Sequence, residues 1–426
     1  MTLVDLKIFT NSLFSMDTRT FNRKYLKLVT GMDRRAKELW GSDADFIDGP
    51  DSMKEKAAAL KRVPEASELQ ELALELLEVT GNPFTIHDYR RRYYLTEILT
   101  GLETTTRVLK GEDVPYREKL RAYFGINPRR ATESVFERAM QRLDESLPGR
   151  GDIEARYSEW EKGQTLKPEE VEPLLRMLME ETRTRTAQYL DLPEDDRVDL
   201  EFVRDKPWSG YNTYRGDGVS VVAINLDAPM KISRLLEVGS HETYPGHHAE
   251  HMMKELMLGL KRGYVEENAL TYNVPRNIVS EGIGELSMEI AFGNLRNGME
   301  WYNAHTRGKK IDIDQDLAIR KAARNLDGAR TNLCFMIHED YVGEGEAMEY
   351  MQTWWKHKPR LIKPVTAFVK HPIFDTYSFN YTHGHRLVSQ AYRDALRNGV
   401  PKDVVVERLF TTQLTPKTLH YLSEAA

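Results

Sequence analysis

The stretch His241-Glu242-Thr243-Tyr244-Pro245-Gly246-His247-His248, HETYPGHH, decides how the rest of the chain is read. Two imidazoles and a carboxylate are the donor types of a catalytic zinc site: neutral ligands for the ion, and a general base beside the water it activates. In the plain zincin helix, H-E-x-x-H sets both histidines on one face, one turn apart. Here Pro245 stands where the second histidine would be. In an unbroken helix His241 and His247 would point about 240° apart, and His241 and His248 would sit roughly 10 Å apart along the axis. Zinc–nitrogen bonds of about 2.0–2.1 Å allow neither arrangement. The helix is therefore expected to deform between them, since Pro245 cannot donate to the carbonyl of His241 and Gly246 tolerates a bulge or break.

Two extra residues in that turn would carry His247 to the place of the usual second ligand. His248 would need three, and is the alternative ligand or a substrate contact. His247 with His251 is a further i, i+4 pair, one that leaves Glu242 without the position beside a ligand that a base needs. A third ligand should come from another helix, and Ser280-Glu281-Gly282-Ile283-Gly284-Glu285 is the candidate. Glu281 is read as opening an apolar helix, Ile283 to Phe292, with Glu285 one turn on as a partner that orients a histidine. Gly282 and Gly284 would let the two metal-bearing helices approach closely.

Working outward, Val198 to Val203 and Val219 to Asn225 are rich in β-branched residues, and Gly210, Gly216 and Gly218 between them are turn-like. A small antiparallel sheet is expected beside the cleft, with an edge strand able to bind an extended peptide. Met230 to Leu258 has helical spacing interrupted at Pro245-Gly246. Residues 1–190 alternate apolar and charged positions at helical spacing and form an N-terminal helical lobe, punctuated by Pro64, Pro83, Pro115, Pro128 and Pro148. Residues 191–426 form the catalytic lobe, the two read as one continuous structural unit. Arg90-Arg91-Arg92 and Arg129-Arg130 read as solvated helix faces.

The 426 residues are ample for a core with a buried cleft. Charged residues make up 30% of the chain and balance to a net −6, so nothing favours nucleic acid or an anionic membrane. Cys334 is the only cysteine, which excludes an internal disulfide and a cysteine-rich metal site. The opening MTLVDLKIFTNSLFS has no basic start followed by a long apolar core, and no later run approaches the roughly 20 apolar residues of a membrane span. A cytoplasmic protein is expected, of open oligomeric state.

These motifs resemble the "domain of unknown function 885" family, which is similar to zinc metallopeptidases and distantly to the carboxypeptidase Taq group. The resemblance covers roughly residues 200 to 390. It lies in the edge-strand block trailing into Asn225, in HETYPGHH against the family's HExxPGHH, and in SEGIGE against an SEGW-type motif, where Ile283 replaces the usual Trp. A weaker block has Tyr381-Thr382-His383-Gly384, with Arg330 and His338 on a helix. The resemblance implies His241, His247 and Glu281 as metal ligands, Glu242 as general base, and Tyr381 as a phenol donating to an oxyanion.

The expectation is thus a mainly α, zincin-like fold and a zinc-dependent peptidase, with another divalent ion as a fitting substitute. The substrate would be a peptide or a small-molecule amide. A metal-dependent hydrolase or lyase of a small metabolite, and a non-catalytic helical scaffold with a degenerate site, are the alternatives. Arg215, Arg276 and Arg330 could each clamp a terminal carboxylate.

Overall fold

Side-chain caps set several helix starts, among them Asp17, Asp88, Asp152, Asn294 and Asp312. The computed structural model describes residues 16–424 apart from positions 43, 205 and 207, so the segment MTLVDLKIFTNSLFS lies outside the described residues. Asp17 caps helix α1 (Thr18–Trp40) by accepting from the backbone of Thr20. Strand β1 (Ile47–Gly49) and helices α2 (Asp51–Ala58) and α3 (Ala66–Thr80) follow. Asp88 then caps α4 (Tyr89–Leu109). Helices α5 (Tyr116–Phe124), α6 (Glu133–Ser146), α7 (Ile153–Gln164) and α8 (Pro168–Thr186) complete the first part. The punctuating prolines fall between these helices or at their caps, where no backbone donor is required. Helix α8 stops at Thr186, short of Leu190, and tolerates Pro173 in its second turn.

Next come β2 (Arg197–Val203), β3 (Gly210–Gly216) and β4 (Val219–Asn225). The hairpin β3–β4 is antiparallel, while β2 runs parallel to β4 on its other side, in the order β2-β4-β3. The sheet is therefore mixed, the block trailing into Asn225 is its central strand rather than an edge, because β2 and β3 pair with it on either side, and β3 occupies the segment read as turn-like. Its Tyr211 to Tyr214 core is short, but pairing with β4 fixes it; only Gly216, Asp217 and Gly218, at φ of 97°, 52° and 71°, make the turn.

The second part is helical: α9 (Ile232–Glu242), α10 (His247–Lys254) continued by a π-turn, strand β5 (Leu270–Thr271), then α11 (Pro275–Phe292), α12 (Leu295–His305), α13 (Ile313–Ala323) and α14 (Gly328–His338). Helices α15 (Glu344–Trp354), α16 (Ile362–Phe368), α17 (Ser378–Arg397) and α18 (Lys402–Thr411) close the chain. The protein is mainly α, with two small sheets. The second sheet pairs β1 with β5, tying the N-terminal helices to the segment just before α11.

That tie is reinforced by charge. Arg91 is buried and reaches Glu266 with Nε and Nη2, both at 2.8 Å. The Arg90-Arg91-Arg92 run is thus not simply a solvated face: its middle member is a fork onto a carboxylate 175 positions away. Among the described residues no helix is long and apolar enough to cross a membrane.

Candidate metal centre

The helix carrying HETYPGHH breaks where proline and glycine stand. Helix α9 ends at Glu242 and α10 begins at His247, with a cis Tyr244–Pro245 bond between them. The backbone groups freed by the break find partners: Asn212 of β3 donates to the Glu242 carbonyl at 2.7 Å, and the Thr243 carbonyl accepts from Gly246 and Ala249. A Cβ on Gly246 would lie 1.8 Å from the His241 carbonyl oxygen, so no other residue fits there without rearrangement.

The break folds the two imidazoles together. The rings of His241 and His247 stand perpendicular with centroids 4.6 Å apart, and potential ligand atoms of His241, Glu242 and His247 lie within 4.8 Å of one another. Glu281 reaches in from α11: its Oε2 is 3.4 Å from His241 Nε2 and its Oε1 3.8 Å from His247 Nε2. Glu281 does not open its helix, as expected from sequence, but sits nearly two turns inside it. Pro275 at the first turn and the Asn277 side chain, which accepts from the Val274 amide, move the start upstream.

Both imidazoles turn Nε2 inward and Nδ1 outward. His247 Nδ1 is 3.3 Å from Ser280 Oγ, which itself donates to Glu250 Oε2 at 2.5 Å. With its proton given to Glu250, Ser280 accepts from Nδ1–H, so the neutral ring, the form that binds a metal, would offer its Nε2 lone pair on the Glu281 side. His241 Nδ1 is 3.8 Å from Glu285 Oε1, too far for that oxygen to accept a hydrogen bond, so Glu285 is an electrostatic neighbour. The two glycines of SEGIGE serve different neighbours. Gly284 leaves room for the His241 ring, which a Cβ would approach to 2.6 Å, while Gly282 seats α11 on Gly384 of α17.

Electrostatically the centre attracts cations. Burial disfavours the charged form of His247, but Glu250, Glu281 and Glu242 outweigh it and raise its pKa to about 9. Burial likewise acts against the Glu281 carboxylate, yet His241 and His247 hold it below the usual range. Glu281 Oε2 is buried with no hydrogen-bond partner. Two inward Nε2 atoms around an unsatisfied carboxylate oxygen suit a divalent ion of the zinc type.

Two tyrosines of the α17 region back this cluster. Tyr377 donates to Glu281 Oε1 at 2.5 Å. Tyr381, one turn on, packs its ring 5.7 Å from that of Tyr377 and carries the Arg330 guanidinium 5.1 Å from its own. Burial first, and then Glu281, push the Tyr381 phenol well above its ordinary pKa, so it remains a donor. Tyr377 is the residue that sequence reading missed; its position one turn before Tyr381 was the available signal.

The other candidates stand outside this cluster, although Asn225 and His251 also line the cleft. His248 is fully buried and faces away, its Nδ1 2.8 Å from Ser220 Oγ and its Nε2 3.4 Å from Asp196 Oδ2. Asp196 also accepts from Tyr244 and Arg183, so it pins the break from behind. His251 stacks on His247 at 5.6 Å with its Nδ1 buried and unpartnered. The Asn225 side chain donates to the carbonyls of Lys206 and Trp208, closing the loop before β3. His338 bonds the Val369 carbonyl at 2.7 Å and stacks on Tyr116, outside the cleft lining. Arg330 does line the cleft, as do His241, Glu242, His247, Glu281, Tyr377 and Tyr381; its volume is about 2710 Å³.

No family model matches the chain, and no curated protein matches its sequence. Among solved structures, the chain is similar to the crystal structure of the putative lipoprotein from Colwellia psychrerythraea, with a TM-score of 0.54 and 13% identity. The match covers 99% of this chain and 79% of that one. At that identity the likeness is one of fold alone.

Proposed function

We propose that the protein is a metal-dependent hydrolase that cleaves peptide amide bonds. The observation that carries this reading is the convergence of His241, His247 and Glu281, with the Glu242 carboxylate beside them, on one wall of an open cleft. A divalent ion held by His241, His247 and Glu281 would supply Lewis acidity, polarising a carbonyl and lowering the pKa of a water. Glu242 takes a proton from the attacking water and returns it to the leaving amine. Tyr381, kept protonated by its surroundings, donates a hydrogen bond to the developing oxyanion. Tyr377 fixes one oxygen of Glu281 and leaves the other free.

The cleft favours a peptide over a small metabolite. At about 2710 Å³ it exceeds the roughly 300–1,000 Å³ of small-ligand pockets. Strand β3 borders it through Gly210, Tyr211 and Asn212, where an extended chain can lie alongside.

The test joins elemental analysis to activity. The purified protein should hold near one equivalent of divalent metal, hydrolyse peptides in preference to simple esters, and lose turnover but not metal in Glu242→Gln. Normal turnover by that variant, or a metal content near zero with no activity restored by added zinc, would sink the reading.

A further inference from the structure

Of the arginines that could clamp a carboxylate, two are already engaged. Arg215 Nη1 pairs with Asp51 at 2.7 Å, and Arg276 is buried 3.5 Å from Glu267. Arg330 differs: it forms no ion pair among the described residues, and its Nε is buried without a hydrogen-bond partner. It is nevertheless held in place, the guanidinium lying over the Tyr381 ring on the cleft wall. A fixed, planar cation with an idle donor beside a ligand-binding wall is a fork whose partner arrives with the ligand.

Its position says which part of the ligand. Glu281 bonds Tyr377, Tyr377 packs on Tyr381, and Tyr381 carries Arg330, so two packed phenols link the guanidinium to the metal-binding carboxylate along one cleft. In a peptide cleaved before its last residue, the terminal carboxylate follows the reacting carbonyl by one residue, with neighbouring Cα atoms about 3.8 Å apart. We propose that Arg330 binds the free C-terminal carboxylate of the substrate, which makes the cleft that of a carboxypeptidase. This rests on the hydrolase reading for its reaction, but the clamp itself is a binding claim that can be tested without turnover.

The probes are Ala-Ala-Ala-Phe as the free acid, the same peptide as its C-terminal amide, and Ala-Ala-Ala-Glu amide, whose only carboxylate is in a side chain. Each is titrated calorimetrically into full-length Glu242→Gln protein, with and without zinc, in Arg330 and Arg330→Met backgrounds. The free acid should bind about ten- to a hundredfold more tightly than its amide, the range for charged hydrogen bonds. Arg330→Met should abolish that preference and leave the amide unchanged. Arg330→Lys, which keeps charge without the fork, covers a Met variant that fails to fold and should lose preference severalfold.

Equal affinity for acid and amide overturns the clamp, as does undetectable binding of every probe. Arg330-dependent binding of the Glu amide without preference for the free acid overturns the terminal assignment. Peptide hydrolysis with no acid preference removes the clamp and leaves the hydrolase standing; an Arg330-dependent acid preference without hydrolysis does the reverse.

Discussion

Ser280 Oγ stands 3.3 Å from His247 Nδ1 while giving its own proton to Glu250. A serine so placed sets which nitrogen of the imidazole is free. Ser280→Ala removes the acceptor for Nδ1–H and lets the ring rotate or change tautomer. Partners of this kind tune metal affinity by about 10- to 100-fold. The variant should therefore weaken zinc binding at least about tenfold, read by competition with a chromophoric chelator. An unchanged affinity would show that the relay does not orient His247.

Gly246→Ala places a methyl group where the His241 carbonyl oxygen already is. The break must open or the two helices must separate, and the loss should reach about 3 kcal/mol or more, among the larger single-residue effects. Urea denaturation of the metal-free protein measures it. A loss under about 1 kcal/mol would mean that the chain reroutes easily around the break.

Tyr377→Phe and Tyr381→Phe should fail differently. The first strips a hydrogen bond from Glu281 and should lower metal affinity while leaving the fold intact. The second should leave metal content unchanged and lower kcat by about 10²-fold, the scale for one oxyanion donor. Identical profiles for the two variants would dissolve the distinction between a ligand's partner and a substrate's.

Asp196 gives a pH signature. Burial acts against its charge, but hydrogen bonds from His248, Arg183 and Tyr244 prevail and lower its pKa from 3.8 to about 2. The folded state thus holds fewer protons than the unfolded one across this window. The stabilisation is present above about pH 4 and is lost as pH falls towards 2. Thermal melts between pH 4 and 2 should show this fall, and Asp196→Asn should flatten it while lowering Tm at neutral pH. Parallel curves for the two proteins would assign the acid sensitivity to other groups.

What could be read from the sequence was local. Pro245 and Gly246 announce a break because one lacks a donor and the other lacks a side chain, and His247 follows from the bond length an ion demands. What escaped was set at long range. Strand β3 is five non-glycine residues between glycines until β4 pairs with it, and α11 starts early because Asn277 caps it by reaching back. Glu281 meets Tyr377 across 96 positions, and Arg91 meets Glu266 across 175. Periodicity registers neither. Ser280 adjoins Glu281 in the sequence, yet its role depends on Glu250, which helical spacing from His247 places beside it.

The pairing of β1 with β5 gives the first hundred residues a claim on the chemistry. Leu270 and Thr271 lie four to five positions before Pro275, and the Thr271 carbonyl accepts from Asn277 in the first turn of α11. Cutting away the N-terminal helices would strip the strand that holds this segment and loosen the start of the helix on which Glu281 rides. The front of the chain is thus a foundation for the third ligand, and no shortened version lacking β1 should be taken as a faithful miniature of the centre.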